Sequence, residues 1–74
     1  MSSAHPVIIG ADVGAKLIVL AWAASSLSIA NTREAILAWL KSLPAGCVIG
    51  MEATGRYHQA LADLALACGH IIRC

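Results

Sequence analysis

Asp12 and Glu52 each close an apolar run, Val7-Ile8-Ile9-Gly10-Ala11-Asp12 and Cys47-Val48-Ile49-Gly50-Met51-Glu52. A glycine follows each within three positions, Gly14 after Asp12 and Gly55 after Glu52. The chain has only four acidic residues, and two of them stand at the ends of its greasiest segments. An unpaired carboxylate beside a core is strongly disfavoured, so both charges need a cation. If the two runs are neighbouring strands, the carboxylates converge at one sheet edge and could hold a divalent metal.

The surrounding sequence supplies elements that could place them so. Met1–Pro6 is polar and ends in proline, a loose lead-in. Val7–Val13 is continuously apolar with β-branched pairs, which predicts a central strand buried on both faces. Gly14-Ala15 predicts a tight turn with the glycine at positive φ. Leu17–Ala23 then forms a second strand, antiparallel to the first. Ser25-Ser26 turns the chain again, and Leu27–Ala30 is a short third strand.

Asn31 is a favoured N-cap with Glu34 three residues on, the pattern of a capping box. Ile36, Leu37, Trp39, Leu40 and Leu43 give the following helix one apolar face, and Pro44-Ala45-Gly46 stops it. Cys47–Met51 is the fourth strand. Thr54-Gly55 opens a second helix with Thr54 as cap and Tyr57, Leu61, Leu64 and Ala65 on one stripe, ending at Gly69. His70–Arg73 begins a fifth strand. The order strand-strand-strand-helix-strand-helix-strand predicts an α/β mixed sheet, its first and fourth strands adjacent. Asp12 and Glu52 would then lie side by side at the carboxyl ends of strands, where open α/β sheets bind ligands.

Composition bounds the function. Seventy-four residues, 59% hydrophobic and only 12% charged, read as a piece of a larger core, because ordinary domains are about 45–50% apolar. A net charge of +1 with Lys16, Arg33, Lys41, Arg56 and Arg73 scattered singly offers no basic patch. Cys47, Cys68 and Cys74 fit neither a disulfide framework nor a zinc-ligand spacing, so they read as free thiols in a reducing cytoplasm. The apolar stretch Leu17–Ala24 breaks at Ser25-Ser26, far short of the ~20 residues a spanning helix needs. No membrane role is expected.

Several stretches resemble the N-terminal domain of RuvC-like DEDD transposases of bacterial insertion sequences (the IS-one-ten type). They are Ile9-Gly10-Ala11-Asp12-Val13-Gly14-Ala15-Lys16, Ala30-Asn31-Thr32 and, most specifically, Glu52-Ala53-Thr54-Gly55-Arg56-Tyr57-His58. The resemblance runs from Val7 onward and implies a ribonuclease H-like fold across residues 7–74. It also implies DNA transposition and recombination by Mg²⁺- or Mn²⁺-dependent phosphoryl transfer, with insertion-sequence ends as DNA partner and in some members a guide RNA. By position Asp12 matches the family's first acidic residue and Glu52 its second. The other two aspartates lie in the family beyond the fifth strand, in a Lys-Thr-Asp-x-x-Asp-like stretch that this sequence lacks, as it lacks the serine-bearing C-terminal domain. The expectation is a truncated transposase fragment of the bacterial cytoplasm that binds metal weakly and is inactive alone. In the family Ser-Lys follows the first Asp-Val; here Gly14-Ala15-Lys16 adds a residue to the turn.

Each residue also has a plainer reading. Asp12 could be a turn carboxylate, and Glu52 a charge favoured by a helix dipole. Thr54 and Gly55 read as cap and turn that support the site. Lys16 could approach a phosphate or be a solvated edge, Tyr57 could support the site or simply pack with its hydroxyl at the surface, and His58 could meet nucleic acid or face solvent. His5 and His70 receive no role, and Trp22 and Trp39 read as core. Two rival functions stand beside the transposase. One is an actin-like or sugar-kinase ATPase lobe with Asp12-Val13-Gly14 as phosphate loop. The other is a non-catalytic fragment that self-associates or pairs with a full-length transposase through the exposed edge Gly69-His70-Ile71-Ile72.

Overall fold

A computed structural model describes residues 7–51 and 56–73. They form a small α/β domain with a five-stranded mixed sheet and two helices: β1 (Ile8–Val13), β2 (Leu17–Trp22), β3 (Ser25–Ala30), α1 (Arg33–Lys41), β4 (Val48–Met51), α2 (Gln59–Ala67) and β5 (Ile71–Arg73). The sheet order is β3-β2-β1-β4-β5. The first three strands are an antiparallel meander, and β4 and β5 join as parallel neighbours after a helix each. The element order and the adjacency of β1 and β4 agree with the sequence expectation.

Strand periodicity sorts the side chains. Ile9, Ile18, Leu20, Ile49 and Met51 point to one face and meet Ile36, Trp39 and Leu40 of α1 and Leu61, Leu64 and Ala65 of α2 in a single core. Burying an aliphatic side chain of this kind contributes roughly 1.5–3 kcal/mol. The other face carries Ile8, Gly10, Asp12, Leu17, Val19, Ala21, Val48 and Gly50, and Ile8 is 68% exposed. The expectation that β1 is buried on both faces is therefore corrected. No described element covers the second face, so its apolar residues remain accessible. Trp39 is core as expected, and Trp22 is half-buried at its margin.

The turns and caps also depart from expectation. β2 and β3 pair down to Trp22↔Ser25, so the hairpin turns at Ala23-Ala24, with Ala23 at φ 49°. Ser25 and Ser26 belong to the strand, because the ladder continues to its last available residue; Ser26 lies on the uncovered face and Ser25 is exposed opposite Trp22. Gly14 is not among the described residues with positive φ. A Cβ there would lie 3.1 Å from the Leu17 carbonyl, so close approach is what favours glycine. The N-cap of α1 is Thr32, not Asn31: its hydroxyl accepts from the Ala35 N–H at 3.2 Å. That places Glu34 at the second helical position, one short of the capping-box site.

α2 begins at Gln59 with His58 as N-cap and no side-chain cap bond, later than the predicted start. The expected cap Thr54 lies outside the described residues, and Tyr57 is not on the buried stripe but 50% exposed. The helix ends as expected at Gly69 (φ 87°). The Gly69 N–H donates to Leu66 and the His70 N–H to Ala65, a Schellman closure whose positive φ glycine adopts without the strain a Cβ would bring. Among the described residues no helix is long and apolar enough to cross a membrane.

Candidate functional site

The site is built where β1 and β4 end. Their parallel register runs from Ile8↔Val48 to Ala11↔Met51. Asp12 lies one residue past the last of these pairs, and Glu52 follows Met51 in the sequence. Glu52, Thr54 and Gly55 lie outside the described residues, so the geometry of the site is that of Asp12, Lys16 and Tyr57.

Asp12 is exposed on the uncovered sheet face, opposite Val19 of β2. It borders an open cavity of about 530 Å³, lined also by Gly10, Val19, Ala21, Gly50 and Met51. The floor of this bowl includes Ala21, Gly10 and Gly50, part of a transverse row of small residues that continues to Ser26 on β3 and meets Arg73 on β5. A Cβ added at Gly10 or Gly50 would meet its nearest neighbour at 3.9 Å, an ordinary contact. The described chain does not itself require the bowl to be empty.

Lys16 sits exposed in the β1–β2 turn, and its carbonyl accepts from the Asn31 N–H at 2.8 Å. Tyr57 offers the region its backbone, since its carbonyl accepts from Asn31 Nδ2 at 3.1 Å. The same Nδ2 donates to the Gly14 carbonyl at 2.8 Å. Asn31 thus joins the turn after Asp12 to the segment entering α2, a role its reading as a helix cap missed. Its position between a strand and a helix was visible in the sequence, but which of its atoms would be used was not.

Two histidines also gain structure that their sequence context did not signal. His70 is 5% exposed, and its Nδ1 accepts from the Cys47 N–H at 3.1 Å. His58 is half-buried, and its Nδ1 is enclosed without a hydrogen-bond partner. Cys47 is buried with Sγ donating to the Pro44 carbonyl, and burial pushes its thiol up.

Chemically, Asp12 presents two acceptor oxygens to solvent at the lip of a concave surface. Mg²⁺ keeps several waters and commonly takes one or two carboxylates, so Asp12 with Glu52 would suffice for one weakly held ion. Among the described residues no three His, Cys, Asp or Glu side chains converge on a common point. No protein-family model and no curated protein matches this chain.

Proposed function

We propose that the chain is the N-terminal part of a ribonuclease H-like DEDD transposase domain, with Asp12 and Glu52 supplying half of a Mg²⁺-dependent phosphoryl-transfer site that acts on DNA. The observation that carries this reading is the parallel β1–β4 pairing, whose last described pair, Ala11↔Met51, immediately precedes Asp12 and Glu52 in the sequence. A two-metal site holds its ions ~3.5–4 Å apart and clamps the attacking and leaving oxygens of the phosphate. Two carboxylates can begin such a site but not fix both ions, so the remaining ligands must come from further acidic residues and the DNA. Insertion-sequence ends, a guide RNA and a bacterial cytoplasmic setting belong to the same proposal.

Mn²⁺ titration of the chain, read by calorimetry or paramagnetic resonance, tests it. Asp12→Asn should weaken binding at least about tenfold, the lower end of what disturbing a metal site's ligands costs. Equal binding by the two chains would sink the metal reading. Stabilisation by ATP in place of Mn²⁺ would favour the kinase-lobe alternative. The purified chain should not nick supercoiled DNA with Mg²⁺, and nicking abolished by Asp12→Ala would show that two carboxylates are enough.

A second reading, an interaction fragment that pairs with another protein chain, draws on the exposed apolar residues Ile8, Leu17, Val19 and Ile71. Co-purification with a full-length transposase would support it.

A further inference from the structure

Among the described residues the β1–β4 ladder runs as far as Ala11↔Met51. Past that point the described connection between the loops after the two strands runs through one side chain. Asn31 Nδ2 donates to Gly14, 17 positions back, and to Tyr57, 26 positions ahead, at 2.8 and 3.1 Å. Both distances lie within the normal range for N–H···O bonds. The Asn31 N–H is itself held by the Lys16 carbonyl at 2.8 Å, so the amide projects from a fixed base at the β3–α1 junction.

The chemistry selects asparagine. The task needs two N–H donors on one short arm. Aspartate has none when ionised, serine and threonine have one, and glutamine would displace the amide by a methylene. The two sides respond differently. The Gly14 turn is already tight, with its N–H bonded to the Leu17 carbonyl at 2.9 Å. On the other side Gln59 N–H reaches the Arg56 carbonyl only at 3.3 Å, so the entry to α2 depends more on Asn31.

We propose that Asn31 is a positioning residue that fixes the turn after Asp12 against the segment leading into α2 by sharing one amide between Gly14 and Tyr57. Its consequence for metal binding rests on the reading of Asp12 and Glu52 as ligands; the coupling of the two loops does not. Gly14 follows Asp12 by two residues and Tyr57 follows Glu52 by five. An extended span of two residues is at most about 7 Å, so the Gly14 bond acts directly on the turn that follows Asp12.

Amide hydrogen exchange at Gly14 and Gln59 tests the coupling in the full chain, and Mn²⁺ affinity tests its consequence. Asn31→Ala should accelerate exchange at both amides about tenfold, as expected when two hydrogen bonds are lost. It should also weaken Mn²⁺ binding about threefold or more, since loss of ligand-orienting groups commonly costs more than that. Thr32→Ala is the control: it removes the adjacent helix cap, yet should leave both amides and the Mn²⁺ affinity as in the parent chain. If Asn31→Ala does not fold, Asn31→Asp, which keeps the shape but has no donor when ionised, serves the same comparison.

Acceleration at only one amide, at neither, or equally in Thr32→Ala overturns the proposal. Acceleration at both with unchanged, Asp12-dependent Mn²⁺ binding overturns its positioning role. Mn²⁺ binding that ignores Asp12→Asn defeats the metal reading alone, and the exchange pair still decides the coupling.

Discussion

Cys47 and Cys68 carry the same thiol in opposite settings, one buried and one exposed. Thiolate is the reactive form, so at neutral pH alkylation followed by peptide mapping should label Cys68 promptly and Cys47 only as fast as the fold opens. Because burial raises the Cys47 thiol above its ordinary value of 9.0, the unfolded chain loses this proton first as pH rises. The contribution is therefore intact below pH 9 and is lost through the alkaline range above it. Denaturation midpoints at pH 7.5 and 10 should converge more closely in Cys47→Ala than in the parent. His70 makes a second residue-scale prediction. His70→Leu strands the Cys47 N–H, which should cost about 1–3 kcal/mol, whereas His70→Asn keeps an acceptor near the Nδ1 position and should cost less in the same denaturation measurement. Asp12 could be singled out from sequence because a charge at the end of an apolar run is conspicuous. His70 could not, because its partner lies 23 positions away and nothing local to the sequence announces that pairing.

The elements themselves were readable from apolar runs and from the punctuation at Pro44, Gly46 and Gly69. Their ends were not, because ends are decided by pairing and by individual atoms. The serines at 25 and 26 resemble a turn, but the ladder with β2 extends over them and pushes the turn onto two alanines. Ala23 consequently occupies the left-handed region, where a Cβ is unfavourable. Ala23→Gly should relieve that strain and stabilise the domain by about 0.5–1 kcal/mol, with the gain offset in part by glycine's freedom in the unfolded chain. A higher denaturation midpoint with an unchanged slope would be the sign. Thr32→Ala should cost about 1 kcal/mol, the usual value of an N-cap. Asn31 and Thr32 are both good caps on paper, and only the geometry separates the residue that caps from the residue that bridges.

At the scale of the whole molecule the two faces of the sheet differ sharply. One is sealed by both helices, while the other leaves Ile8, Leu17, Val19 and Ile71 half or more accessible or close to it. The high apolar content signalled incomplete self-coverage, but could not say which face was bare. Apolar patches of this kind drive association. Sedimentation should therefore show concentration-dependent self-association that Ile8→Thr with Leu17→Thr reduces, without a matching loss of melting temperature. The topology has a kinetic consequence as well. The meander from β1 to β3 is joined by short turns, whereas the central parallel pair brings Gly10 against Gly50, so it must close a far longer loop. Closure entropy grows with that separation, which makes the hairpins the natural early structure and the β1–β4 seam the late one. Refolding after dilution from denaturant should slow when the Ala23 turn is disrupted. A weakened β5, by contrast, should chiefly speed unfolding. The seam that sets Ala11, beside Asp12, against Met51 would then be the last part of the sheet to assemble.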